Sequence, residues 1–306
     1  MLSVKFLGTS AARPTVERSV SSIVVARKGE TLMFDCGEGT QRQMMRYGVS
    51  FSLSQIFFTH FHADHYLGII GLVRTLALQG RTDPVHLYGP KGANRVLGAC
   101  MQLGFERAGF PVEIHELEAG DRLGREDYDL EVLAVEHGRD AVGYAIREHE
   151  RLGRFDPEKA RELRVVEGPL WGRLHRGESV TLDDGRVIDP AELVGPKRPG
   201  RLVVLTGDTA PCGAVVAAAT GADLLVHDAT FGEEEKDRAR ETSHSTAVQA
   251  AQVALAARVK RLILTHLSAR YSTSAKLLAD EARAVFEDVE VARDGMEVEV
   301  PYVGEG

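Results

Sequence analysis

Five apolar runs in this 306-residue chain stop on an imidazole or a carboxylate. "QIFFTH" ends at His60, "LEVLAVEH" at His137, "VVLTGD" at Asp208, "LLVHD" at Asp228 and "LILTH" at His266. Short apolar runs bounded in this way read as buried strands. Polar groups are not buried without partners. The fold must therefore leave these strand tips at a sheet edge, where a packed core can fix a site.

The richest tip is "THFHADHYLG", in which His60, His62, Asp64 and His65 fall within six positions. His60 and His62 are two apart, so an extended segment directs both the same way. Asp64 and His65 follow at a turn into a helix. Imidazole and carboxylate are what zinc takes when no thiolate is offered. A lone histidine at a strand end is an ordinary core or surface residue. Four ligand types crowded together cannot all hold one tetrahedral ion and leave it an open position. Two adjacent ions with outside ligands fit better, and His137, Asp208 and His266 are available to supply them.

The remaining pattern predicts the layers. "SVKFL" and "SSIVVARKGETLMFDCGEG" read as strands joined by tight turns. "HYLGIIGLVRTLALQG" has helical spacing and stops at Gly80. "PVHLYGP" is a strand, "KGANRVLGACMQLGFERAG" a helix, and "VEIHELEAG", "DLEVLAVEHG" and "VGYAIRE" are strands. In the second half "RLVVLTGD", "ADLLVHDATF" and "RLILTH" alternate with helices over "SHSTAVQAAQVALAARV", with Ser243 or Ser245 available as cap, and "TSAKLLADEARAVF". Hairpins first and alternation later suggest an α/β fold of two packed sheets with helices outside, a four-layer αβ/βα sandwich over residues 1–306.

Three widely spaced cysteines argue against a disulfide framework and fit a reducing cytoplasm. No apolar run approaches the roughly 20 residues that span a bilayer, and the N-terminus has no secretion-signal pattern. A formal charge of −8 speaks mildly against a polyanionic partner as an average, but local patches decide nucleic-acid binding. Residues 147–201 are such a locality. They hold five of the 11 prolines, and 12 Lys and Arg against 11 Asp and Glu, so the rest of the chain carries −9. A long Gly/Pro-marked insertion between strands is more often functional than idle. From composition alone, a solvent-exposed excursion or a dimer contact is an equal reading.

These motifs resemble the metallo-β-lactamase superfamily and, within it, the ribonuclease Z family of tRNA 3′-processing endoribonucleases. The resemblance covers nearly the whole chain: "FLGTSAARPT", "FDCGEGTQRQ" with Asp35, "THFHADHYLGIIGL", "GDT", "HDATF", "SHSTAVQAA" and "LTHLSARY" come in the family's order. The metal motif is shared across the superfamily. "SHST", "HLSARY" and the Gly-Pro arm with "GPLWGRLHRG" select the ribonuclease.

The resemblance implies two Zn2+ per chain. His60, His62, His137 and Asp208 would hold one, and Asp64, His65, His266 and a bridging Asp208 the other. It implies that Asp64 orients or deprotonates the nucleophile and that His244 protonates the leaving 3′-oxygen. Without it, His244 reads as a helix-start residue. Arg270 would clamp a flanking phosphate, with an exposed helix-cap arginine as the alternative. Residues 147–201 would form a flexible arm gripping precursor tRNA, Arg173 and Arg176 among its contacts. Arg18 sits in the loop that senses the tRNA end, where "PTVERS" has Val16 and Ser19 in place of the family's Lys and Asn. Asp228 stands where Glu is common. The family also implies a cytoplasmic homodimer. A lactonase, arylsulfatase or small phosphodiesterase would share the metal ligands but has no need of the arm. A non-catalytic RNA-binding protein would not need all seven ligands.

Overall fold

The computed structural model describes residues 1–104 and 108–302. These fall into two compact units, one made of residues 1–125, 129–146 and 202 onward, the other of 126–128 and 147–201. In chain order the strands are β1 (Leu2–Gly8), β2 (Ser22–Arg27), β3 (Glu30–Phe34), β4 (Gln55–Phe57), β5 (Val85–Pro90), β6 (Val112–Leu117), β7 (Arg122–Gly124), β8 (Tyr128–Ala134), β9 (Val142–Glu148), β10 (Val180–Thr181), β11 (Val187–Ile188), β12 (Leu202–Leu205), β13 (Leu224–Asp228), β14 (Leu262–Thr265), β15 (Val289–Val291) and β16 (Glu297–Glu299). Two seven-stranded sheets result, ordered β16-β1-β2-β3-β4-β5-β6 and β15-β14-β13-β12-β9-β8-β7.

The opening hairpins β1–β2–β3 are antiparallel, whereas β3 to β6 run parallel. So do β12 to β15. Parallel pairing brings carboxyl ends together, which is where open α/β sheets build their sites. The sheets pack face to face through aromatics. The Tyr144 ring lies 5.4 Å from Phe34 and 5.5 Å from Phe57, and its buried hydroxyl donates to the Phe58 carbonyl at 2.6 Å. Outside the first sheet, Met33, Ile56 and Leu87 pack with Ile69, Leu72 and Leu76 of helix Gly68–Leu78 and Leu97 of helix Ala93–Gln102. Outside the second, Leu225, Leu262 and Leu264 pack with Ala250, Ala254, Leu278 and Ala282 of helices Ala247–Ala257 and Lys276–Arg283. The result is the four-layer arrangement. Residues 105–107 of the helix expected over 91–109 lie outside the described residues.

The cap of the Ala247–Ala257 helix is neither Ser243 nor Ser245. It is Thr246, whose hydroxyl accepts from the Gln249 amide at 3.2 Å while Gln249 Oε1 accepts from the Thr246 amide at 2.9 Å. This reciprocal box satisfies two orphan donors. Ser245 is committed elsewhere, donating to the Thr209 carbonyl at 2.7 Å.

The second unit has its own small core. Helices Pro157–Glu162 and Pro169–His175 and the β10–β11 hairpin enclose Ala160, Val165, Leu174, Val180, Ile188 and Leu193, with Phe155 and Trp171 against them. At its base Arg201 makes a two-pronged, buried ion pair with Glu148 at 2.8 and 2.7 Å. Arg151 and Arg198 pair through both backbone bonds, at 2.7 and 2.9 Å. Among the described residues no helix is long and apolar enough to cross a membrane.

Candidate metal centre

The tip of β3 places Asp35 in the left-handed region at φ 57°, where a non-glycine residue must be held by its surroundings. Its carboxylate accepts from the Thr59 amide and hydroxyl at 2.8 and 2.9 Å and from His65 Nδ1 at 2.8 Å. The turn after β4 then enters helix Ala63–Tyr66 and, one residue later, helix Gly68–Leu78. Gly68 permits this, since a Cβ there would fall 1.9 Å from the Gly37 carbonyl oxygen. The glycines of "HYLG" and "DCGEG" are thus the contact between two motifs.

Three of the histidines are turned by their second nitrogen. His65 Nδ1 donates to Asp35, His137 Nδ1 to the Ser243 carbonyl at 2.9 Å, and His266 Nδ1 to Thr230 Oγ1 at 2.9 Å. Outer partners of this kind fix tautomer and ring orientation, so the Nε2 atoms of all three face inward. Two donor sets result. One is His60, His62, His137 and Asp208, and another is Asp64, His65 and His266. In the first, His62 Nδ1 and His137 Nε2 stand 3.2 Å apart, and His60 Nε2 lies 3.5 Å from Asp208 Oδ2. In the second, His65 Nε2 and His266 Nε2 are 3.3 Å apart, and Asp64 Oδ2 is 3.3 Å from His266 Nε2. The same Asp208 oxygen is 3.3 Å from both His65 and His266, so it reaches both sets.

These spacings test the fit of a metal. Two nitrogens on one tetrahedral zinc with bonds of about 2.0–2.1 Å stand about 3.3–3.4 Å apart, as the donors here do. His60 Nε2 and Asp208 Oδ1 are buried and have no hydrogen-bond partner, and polar atoms in that position ordinarily find one. Burial and neighbouring imidazoles push His60 well below the usual histidine range, leaving its lone pair available. Burial opposes charge on Asp64 and Asp208 too, but the facing histidines outweigh it and hold both well below the usual carboxylate range. The residues fit a pair of borderline divalent cations.

Asp228, at the tip of β13, adjoins the donor sets, and sequence reasoning assigned it no role there. It is fully buried. Its Oδ1 accepts from the Thr230 amide at 2.8 Å and hydroxyl at 2.7 Å, and its Oδ2 from the Thr209 amide at 3.1 Å and His244 Nδ1 at 2.7 Å. With both oxygens engaged it is placed to orient the His244 ring. The shorter Asp side chain therefore does reach His244. Burial disfavours a charged His244, but Asp228 outweighs it and raises the imidazole to about 9. Its other signal in the sequence was the apolar run "LLVHD" ending on it.

A cleft of about 540 Å³ opens beside these groups, lined by His62, Asp64, His244 and Arg270, with Arg13 and Arg238 on its walls. Arg270 pairs there with Glu235. Arg18, expected to bind substrate, is a correction. Its guanidinium is buried and donates to Thr9 Oγ1 and the Ala292 carbonyl, both at 2.6 Å. Burial lowers its pKa, and its donors hold the loop in place. Arg173 and Arg176 belong to the second unit, where both pair with Glu178, at 2.9 and 3.6 Å.

The fold and the adjoining donor sets define a metallohydrolase of the metallo-β-lactamase type. Residues 174–267 match the family model described as "Beta-lactamase superfamily domain", and residues 2–149 match that described as "Anti-Pycsar protein Apyc1". The chain is 60% identical to "Ribonuclease Z" of Gemmatimonas aurantiaca over 99% of this chain and 98% of that one. It is 53% identical to "Ribonuclease Z" of Myxococcus xanthus over 98% of each. Human tRNase Z, short form, superposes with a TM-score of 0.71 at 27% identity, over 98% of this chain and 99% of that one. The chain belongs to the ribonuclease Z family.

Proposed function

We propose that the chain is a metal-dependent endoribonuclease that removes the 3′ trailer from precursor tRNA and leaves a 3′-hydroxyl. The observation that carries this reading is the end-to-end likeness to ribonucleases Z, which includes the second unit and not only the metal motif shared with other hydrolases. Two Zn2+ would be held by His60, His62, His137 and Asp208 and by Asp64, His65, Asp208 and His266. Bound there, such ions supply a water acidified to a pKa of about 7 and offset charge on phosphate oxygens.

The chain's own groups divide the remaining work. Asp64 Oδ2 accepts from the Ala12 amide at 2.7 Å, so the carboxylate is held facing the cleft, where it orients the attacking group. His244 carries its Nδ1 proton to Asp228 and presents Nε2 to the cleft. With Asp228 favouring its charged form, it can hold a proton and deliver it to the leaving 3′-oxygen as a general acid. Arg270 offers a cation to a flanking phosphate. The second unit, with Arg173 and Arg176, would bind the tRNA body, so that remote binding energy positions the phosphate. By the same family reading the protein acts in the cytoplasm as a homodimer. Incubation with end-labelled precursor tRNA tests the proposal. Cleavage abolished by a chelator and restored by Zn2+ is expected. No cleavage at saturating metal, with hydrolysis of bis(p-nitrophenyl) phosphate intact, would return the chain to the small-substrate hydrolases.

A further inference from the structure

A third donor cluster lies on the free edge of the first sheet and shares no residue with the catalytic sets. β6 is the last strand of that sheet. Its register with β5 sets Glu113 opposite His86 and His115 opposite Tyr88. The period of two therefore puts His86, Glu113 and His115 on one face, two from the edge strand and one from its neighbour. Their ligand atoms meet. His86 Nδ1 is 3.3 Å from His115 Nε2 and 3.2 Å from Glu113 Oε2, and His115 Nε2 is 3.9 Å from the same oxygen.

We propose that His86, Glu113 and His115 form a separate site for a first-row divalent cation such as Zn2+, clipping the edge strand β6 to β5. The two separations from His86, 3.3 and 3.2 Å, match the edges of about 3.3–3.4 Å expected between donors on one tetrahedral ion, and a small turn of the half-exposed Glu113 side chain would close the third, 3.9 Å. Two imidazoles and one carboxylate select Zn2+, Ni2+ or Cu2+ over the hard cations that prefer all-oxygen sites. The three side chains are 30%, 51% and 38% exposed, so an ion can enter from solvent. The site is also built in advance. The His115 ring stacks on Tyr88 at 4.7 Å, Tyr88 on Phe57 at 4.7 Å and Phe57 on Phe34 at 5.3 Å. That column runs into the fully buried core and holds the imidazole in place, as a preformed ligand requires. An ion bridging the strands would also protect an edge that otherwise offers unpaired backbone groups.

The test is zinc content after equilibrium dialysis of the full chain against micromolar Zn2+, for wild type, His115→Ala and Glu113→Gln. Wild type is expected to hold one equivalent more than either variant, while all three cleave precursor tRNA at the same rate. Amides of residues 112–117 are expected to exchange more slowly with Zn2+ in wild type only. Glu113→Gln keeps the shape of a half-exposed side chain, so it reports even if His115→Ala is poorly folded. Equal zinc content in wild type and Glu113→Gln, or an unchanged exchange rate on adding Zn2+, would overturn the proposal.

Discussion

Replacing Asp228 with Asn isolates the orienting carboxylate. The buried carboxylate accepts four hydrogen bonds, two at each oxygen. An Asn amide has one oxygen, so either orientation turns its NH2 toward donors. One choice faces the Thr230 amide and hydroxyl, the other the Thr209 amide and His244 Nδ1. With the NH2 toward His244 the bond at 2.7 Å is lost; with the oxygen toward it the bond loses its anionic acceptor and Thr230 loses its partner. A hydrogen bond to a charged group contributes about 1.5–3 kcal/mol, and each 1.36 kcal/mol is about tenfold in rate. The turnover of Asp228→Asn should therefore fall about 10- to 150-fold, with a smaller change in precursor binding. The assay is single-turnover cleavage of labelled precursor tRNA at saturating Zn2+, with metal content measured in parallel, because the same carboxylate reaches His266 through Thr230. A variant that retains its metal and cleaves within twofold of wild type would refute the reasoning.

Three further outcomes are expected. His244→Ala should lower turnover about 10²–10⁴-fold with little loss of affinity, as removal of a general acid does; a loss confined to KM in a full kinetic analysis would make it a binding residue. Replacing residues 152–197 by Gly-Ser should close readily, because Arg151 and Arg198 already pair. That variant should hydrolyse bis(p-nitrophenyl) phosphate normally but bind precursor tRNA weakly. Its log–log salt dependence should flatten by roughly 0.7–0.9 for each phosphate contact removed, and an unchanged slope would deny the second unit a tRNA role. Thr246→Ala should cost about 1 kcal/mol in chemical unfolding, through loss of the capping box.

The sequence made the strand tips legible because a polar residue closing an apolar run is a local signal. His60, His137, Asp208 and His266 could be read that way, and the parallel order of β12, β13 and β14 then explains why their tips share one end. Asp228 shows the same signal, yet its task depends on a bond to His244, 16 residues away, which spacing does not reveal. Arg18 misled for the opposite reason. Its place in the family's loop motif suggested a substrate contact, and only the tertiary fold shows it donating to the Ala292 carbonyl. The cap of the Ala247–Ala257 helix was displaced from Ser245 to Thr246 because Ser245 is drawn off to Thr209. In the second unit, Trp171 and Phe155 pack on a core of a few small and branched residues, too short in each element to show a period.

The measurement that bears most directly on the central claim is the chemistry of the cut end. A 5′-labelled precursor tRNA, with and without an encoded CCA, is cleaved by the zinc-loaded protein and the product is mapped at nucleotide resolution, then offered to a poly(A) polymerase. One product ending at the 3′ side of the acceptor stem, with a 3′-hydroxyl that the polymerase extends, is the predicted result. A product ending in a 3′-phosphate or cyclic phosphate, or scattered cuts along the tRNA, would contradict protonation of the leaving 3′-oxygen by His244 and with it the proposed reaction.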